Sequence, residues 1–235
     1  MKTKNSISKC VLSLCAALVA VTSQASPAPV VKDWEKQDQD NGIITYHKEI
    51  PGSDIVAFRG EGMIDAPIAK VANILIDTPR KMEWVAKIAE AKDVRNIGPY
   101  ERIEYNHTSS GFFLVKDRDF VFHAKADFDD AHKAMIFSLS SVKDALMPER
   151  GPVRGELTGS RYILTSKENG TKTYVEVEIN ADPKGDVPKW LVNLFQKSWP
   201  RTTLENMRKQ AAKKDVVEHP GVKEHFAALE AKKAS

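Results

Sequence analysis

Residues 183–208, PKGDVPKWLVNLFQKSWPRTTLENMR, decide how this chain folds. Five of the six residues at 190–195 are large and apolar. Trp190, Leu191, Leu194, Phe195 and Ser198 form a stripe at helical spacing, with Val192 and Trp199 beyond its edge, so the apolar arc is wider than a surface helix needs. Pro200 removes a backbone hydrogen bond and predicts a kink. Beyond it, Leu204, Met207 and Ala211 make an ordinary, narrower stripe. A helix of this kind is covered on more than one side. Periodicity is satisfied equally by a filled core against a sheet and by an apolar pocket beneath the helix.

Upstream, residues 118–128, RDFVFHAKADF, change the period to two. Phe120, Phe122, Ala124, Ala126 and Phe128 share one face, and Asp119, Val121, His123, Lys125 and Asp127 the other, as in a strand with one buried and one wet side. Further strands are expected at 43–50, 55–64, 91–97, 100–109, 134–142, 155–166 and 172–181. Asn169-Gly170 predicts a two-residue hairpin turn between the last two. A short polar helix is expected at 27–41, stopped by Asn41-Gly42. Another, capped by Asp65, carries Ile68, Val71, Ala72 and Leu75, and a third short helix is expected at 80–88. The connection 143–154 has an apolar tip of Leu146, Met147 and Pro148, and a weak helix follows Pro220-Gly221. Strands in a run, bounded by helices, give an α+β fold: a large antiparallel sheet with one long helix to cover its apolar face.

The chain has 235 residues, 35 basic and 32 acidic. Lys2, Lys4 and Lys9 precede an apolar run at 11–21 and a small-residue site ending at Ala25, the build of a secretory signal peptide. That run is about 11 residues, against the roughly 20 that cross a bilayer as a helix. Leu14 before Cys15 disfavours a lipoprotein signal. The expected organisation is therefore a signal peptide at 1–25, one domain at 26–214 and a tail at 215–235, in an exported, most simply periplasmic, protein. Cys10 and Cys15 both fall in the removed segment, so the mature chain is expected to hold no disulfide, thiolate metal site or cysteine nucleophile. Without the three signal lysines the basic and acidic residues balance, which implies no broad field for nucleic acid. Arg208, Lys209, Lys213 and Lys214 read either as favourable charge at a helix C-terminus or as a lipid-headgroup patch.

The six histidines show no His-Glu-x-x-His spacing, and no Gly-x-Ser-x-Gly elbow occurs. The RGEG around Gly60 lacks the remaining residues of a phosphate loop and reads as a bend in a curling sheet. No catalytic set, metal or cofactor is expected. An enzyme reading would rest on Glu104 and His107.

The segment DPKGDVPKWLVNLFQKSWPRTTLENMRK, together with the earlier GFFLVKDRDFVF, resembles the START (steroidogenic acute regulatory protein-related lipid transfer) family. The similarity in element order runs from Trp34 to Lys214. The resemblance implies a helix-grip fold, in which an antiparallel sheet curls round the C-terminal helix and encloses a tunnel for one lipid, and a monomeric carrier that meets membranes transiently. It implies that Phe120 and Phe122 line the tunnel, that Trp190, Leu191, Leu194 and Phe195 face lipid or lid, and that Leu146 and Met147 sit at the mouth. Arg118, in the Arg-Asp-Phe-Val motif, is a head-group candidate, with a salt bridge to Asp119 as the competing reading; Asn106 on the adjoining strand is a second. Where some sterol-carrying relatives pair an Arg with a cavity carboxylate, the ungapped count gives Ala124 and Tyr105, which weakens a cholesterol-like assignment.

Overall fold

The structure, a computed structural model, describes residues 34–111 and 115–234, without the side chains of Phe195, Lys233 and Ala234. The expected signal segment and both cysteines lie outside the described residues. The strands are β1 (Glu35–Asp40), β2 (Ile43–Glu49), β3 (Val56–Ile64), β4 (Ile88–Gly98), β5 (Glu101–Thr108), β6 (Arg118–Asp129), β7 (Ala134–Ser141), β8 (Val153–Arg154), β9 (Glu156–Leu157), β10 (Ser160–Lys167), β11 (Lys172–Ile179) and β12 (Ala181–Asp182). The helices are α1 (Ile68–Ile76), α2 (Lys189–Ala211) and α3 (Pro220–Ala234), and a 3-10 turn, Thr78–Glu83, follows α1.

Nine strands form one antiparallel sheet in the order β1-β2-β3-β11-β10-β7-β6-β5-β4, with β8 added parallel to β6 and β9 paired separately with β12. The alternation in β6 places Phe120, Phe122, Ala124 and Ala126 on the helix-facing side. One rung of that side runs Ala126, Phe137, Tyr162, Val177, Gly60 and Thr45 across successive strands. Every member of the rung is buried. The opposite face is not all wet, because Ile103, Tyr105 and Val121 form a small second cluster there, covered by Val94, Val142 and Met147.

Helix α2 crosses the inner face and packs on β2, β3 and β11. Leu204 and Met207 are fully buried in its C-terminal half. Arg208 donates to the carbonyls of Met63 (2.9 Å) and Asn41 (2.7 Å), and Arg201 binds Asp38 (2.7 Å) and Asp40 (2.9 Å) of β1. Gly60 makes the contact between helix and sheet possible: a Cβ there would lie 2.7 Å from Pro200 Cβ and 3.2 Å from Leu204 Cδ1. Its smallness serves close approach rather than a bend. Two of the four cations read as a possible headgroup patch are engaged within the fold, Arg208 on the carbonyls of Met63 and Asn41 and Lys213 on Glu83 (2.7 Å).

Several expectations change. The part of 27–41 that is described forms β1, because Asn41 and Gly42, both at positive φ (48° and 66°), turn the chain into a hairpin instead of ending a helix. Asp65 does not cap α1: Pro67 holds the cap position, and Asp65 pairs with Lys172 at 3.5 Å. The expected helix at 80–88 is the 3-10 turn followed by the start of β4 at Ile88. The β10–β11 hairpin exists, but its turn takes four residues, 168–171, with Glu168, Asn169 and Gly170 all at positive φ. Strand 155–166 is split at Gly159 (φ 77°) into β9 and β10. As the sequence has it, one helix, α2, carries both stripes and holds Pro200 inside it. The helix expected after Pro220-Gly221 is present as α3, and the segment is packed: Val216, Val222 and Phe226 join the main core, and the His219 N–H donates to the Ala69 carbonyl at 3.0 Å.

Gly60→Ala should lower the unfolding free energy by about 1–3 kcal/mol through overpacking. The control is Gly98→Ala, whose new methyl meets nothing closer than Glu101 Cβ at 4.0 Å. Urea unfolding of both variants checks the contrast.

Candidate functional site

Because α2 rests on β2, β3 and β11, the β5–β6–β7 part of the inner face is not filled by the helix, and a cavity of about 270 Å³ remains beside it. The strand alternation supplies its wall: Phe120, Phe122 and Ala124 from β6, Phe137 and Leu139 from β7, and Tyr162 from β10. Trp84 and Ile88 close one side, and Gln196 and Trp199 of α2 close another. Gly155 keeps room for Phe120, since a methyl there would collide with the ring. A second void of about 180 Å³ shares Thr108, Pro183 and Gln196 with the first and lies between Ser109, Ser110 and Val115 on one side and Leu191 and Val192 of α2 on the other.

The wall carries charge far from that loop. Strand β5 turns Arg102, Glu104 and Asn106 inward, and Glu104 is 0% exposed. Lys81, from the 3-10 turn, pairs with Glu104 Oε1, and Arg102 Nε approaches Glu104 Oε2 at 3.3 Å. Arg102 also donates to the Leu75 carbonyl (2.9 Å) and meets Asp93 at 3.2 Å. Burial pulls the Lys81 ammonium below its ordinary pKa, with the Glu104 carboxylate opposing. Burial, and secondarily Glu104, push the Tyr162 phenol well above its usual range, so it stays protonated. Asn106, in the orientation that satisfies both amide atoms, donates to Glu104 Oε1 at 3.0 Å.

The structure brings only some of the sequence-derived candidates together. Phe120, Phe122 and Asn106 line the cavity, and Leu191 lines the outer void. Trp190 and Leu194 do not line it: they are 68% and 58% exposed on the far side of α2. The inward row is Val192, Gln196 and Trp199, masked in the sequence by the polar Gln196. Phe195 lies outside the described side chains. Leu146 and Met147 are not at the mouth, because Met147 packs on Ile103, Tyr105 and Val121, on the face opposite the cavity. Arg118 pairs with no carboxylate among the described residues; it donates to the carbonyls of Lys116, Pro183 (3.3 Å) and Lys184 (3.2 Å), tying the 109–117 loop to the segment before α2. Asp119 instead binds Arg154 at 2.7 Å. Asp117 anchors the same loop: the Ser110 N–H (2.9 Å) and His107 (3.0 Å) hold its carboxyl below the usual range. Glu104 and His107 fall on opposite faces of β5 and form no acid–base pair. A buried ion pair, absent from the ungapped count, does exist in the cavity, supplied by Lys81, Arg102 and Glu104.

The sequence model of the START domain family matches residues 24–210. An uncharacterised protein of Pseudomonas aeruginosa is 26% identical over 205 residues, covering 86% of this chain and 96% of that protein. The phosphatidylcholine transfer protein of Mus musculus is 22% identical over 191 residues, 78% of this chain and 86% of its own. Among solved structures, human StAR-related lipid transfer protein 5 superposes with a TM-score of 0.69 at 19% identity, over 76% of this chain and 86% of that one. A STAR-related lipid transfer protein from Xanthomonas axonopodis gives 0.68 at 24% identity, over 77% and 99%. These likenesses establish the helix-grip fold.

Glu104→Ala leaves Lys81 and Arg102 facing each other without their shared anion. The expected loss of stability is about 3–5 kcal/mol, the cost of an unpaired buried charge, read by urea unfolding at neutral pH.

Proposed function

The chain belongs to the START domain family, and from that premise we propose that it encloses one hydrophobic lipid and carries it through an aqueous compartment between membranes. The observation that carries this reading is the internal cavity with its wall of Phe120, Phe122, Phe137, Leu139 and Trp199, roofed by a helix that rests on only part of the sheet. Each methylene moved from water into such a wall contributes about 0.8 kcal/mol, so a single acyl chain gains enough to be held. The phosphatidylcholine transfer protein among the relatives supports lipid as the cargo class; phospholipid and sterol-like cargoes both remain within the proposal.

The outer row of α2 supports membrane contact during loading. Trp190 and Leu194, one turn apart, expose apolar surface on the solvent side of α2, and Lys197 stands exposed one turn further on. An exposed tryptophan beside a lysine suits the boundary between acyl chains and anionic head groups. The Arg118 bonds to Pro183 and Lys184 would open as the start of α2 swings. Lys2, Lys4, Lys9, the apolar run at 11–21 and Ala25 support export, with the carrier acting as a monomer in the periplasm.

Native mass spectrometry of the chain from Ser26, followed by lipid extraction, should give a discrete adduct of one lipid. Repeated absence of an adduct, together with no uptake from vesicles, would overturn the carrier reading. Trp190→Asp and Leu194→Asp should slow transfer between vesicles at least several-fold, while Leu146→Asp, on the opposite face, should leave the rate unchanged.

A further inference from the structure

Hydrogen-bond capacity at the inner end of the cavity is unbalanced towards donors. Lys81 uses one of its three ammonium protons on Glu104, and a second direction faces the Phe122 ring at 5.9 Å. Arg102 places Nε and Nη2 on protein acceptors, and its Nη1 has no hydrogen-bond partner among the described residues. The indole Nε1 of Trp84, a wall residue only 4% exposed, is a buried donor without a partner, whereas the unpaired buried acceptor of the wall, Gln196 Oε1, belongs to the end shared with the outer void. A buried donor left unpaired costs about 1–3 kcal/mol.

Charge points the same way. Lys81, Arg102 and Glu104 are all under 9% exposed and sum to one net positive charge. Asp93 reaches Arg102 from the outer side, but its side chain is 42% exposed, so solvent screens its contribution. Glu178, the other acidic residue along the wall, directs its carboxylate to Arg161 at 2.8 Å. Position adds a third constraint. Thr108, where the cavity meets the outer void, lies six residues along β5 from Arg102, about 20 Å at the rise of an extended strand. The volume of about 270 Å³ lies just below the roughly 300–1,000 Å³ span of ligand pockets, which suits one chain better than two.

We infer that the cargo is a single-chain amphiphile with a terminal carboxylate, a long-chain monocarboxylic acid, bound with its acid group inward against Lys81 and Arg102 and its chain running towards the start of α2. A carboxylate brings two oxygens with about four acceptor sites and neutralises the surplus positive charge. A hydroxyl brings two acceptor sites and no charge. The inference rests on the lipid-carrier reading and puts a single-chain acid in place of its phospholipid or sterol-like cargo.

The test compares palmitic acid, hexadecanol and methyl palmitate, offered to the mature chain in displacement of a fluorescent fatty-acid probe. The acid is expected to bind at least ten-fold tighter than the alcohol or the ester. Lys81→Met should collapse that ratio, and Lys81→Arg should restore most of it; thermal melts verify that each variant folds. With palmitic acid labelled with carbon-13 at the carboxyl, the bound resonance should stay at its ionised position as pH falls through the ordinary carboxylate range. Equal affinities for acid, alcohol and ester in the wild-type chain, or a bound carboxyl that titrates as in water, would overturn the inference while leaving the carrier reading intact. Failure of all three to bind, with no lipid adduct by mass spectrometry, would sink both. A Lys81→Met variant that keeps the full preference would remove Lys81 from the site and overturn the inference as stated.

Discussion

The contact of Pro200 and Leu204 with Gly60 governs the rest of this structure. Only a glycine on β3 lets α2 sit so low, and once the helix is seated there its C-terminal half is fixed by Leu204, Met207 and the bonds of Arg208 to strand carbonyls. A helix anchored on one part of a wide sheet leaves the other part uncovered. The uncovered surface between α2 and β5–β7 is therefore a consequence of the anchoring, and the same constraint that stabilises the fold creates the cavity.

The two halves of α2 consequently play different parts. The anchored half behaves as ordinary core. The half before Pro200 covers a void with Val192, Gln196 and Trp199 while exposing Trp190 and Leu194. Before Trp199, which packs on Tyr162, its hydrogen bonds to the sheet side are Asn193 to the Val56 N–H (3.1 Å) and the Asp54 carbonyl (3.0 Å), Gln196 to the Ala181 carbonyl (2.8 Å) and Lys189 to Asp182 (3.5 Å). Segments held by a small number of peripheral hydrogen bonds open at lower free energy than a packed core, as a helix that admits cargo requires.

The inner end of the cavity follows a different logic. Charged groups are costly to bury unless paired, and here a lysine from a 3-10 turn, an arginine and a glutamate from one strand meet beneath an aromatic wall. Their arrangement departs from that implied by the alignment of Arg118 and its strand, because the groups come from β5 and the turn after α1 rather than from β6. The structural neighbours share the fold at 19–24% identity, and at that distance a cavity's polar lining need not follow its frame.

The local patterns of the sequence determined the frame. The two-residue period of 118–128 fixed which side of β6 is inward, since a strand has only two faces, and the hydrophobic content of 190–195 marked a helix with unusual surroundings. The α+β class followed from these, and the helix-grip reading from the resemblance of 111–122 and 182–209 to the START family. The sequence could not say which arc of α2 faces inward: the row with the larger apolar residues, Trp190 and Leu194, is the exposed one, because the seat at Gly60 and Pro200, not hydrophobicity, sets the helix's rotation. Nor could it identify the polar end of the cavity. In the 100–109 segment the alternation points the wrong way, because Ile103 and Tyr105 pack on the face away from the cavity and leave Arg102, Glu104 and Asn106 inward, and Lys81 lies on another element altogether. Periodicity is a property of neighbours along the chain, whereas a buried charge is tolerated only by partners brought from elsewhere. For that physical reason the tertiary structure alone decided where Lys81, Arg102 and Glu104 meet.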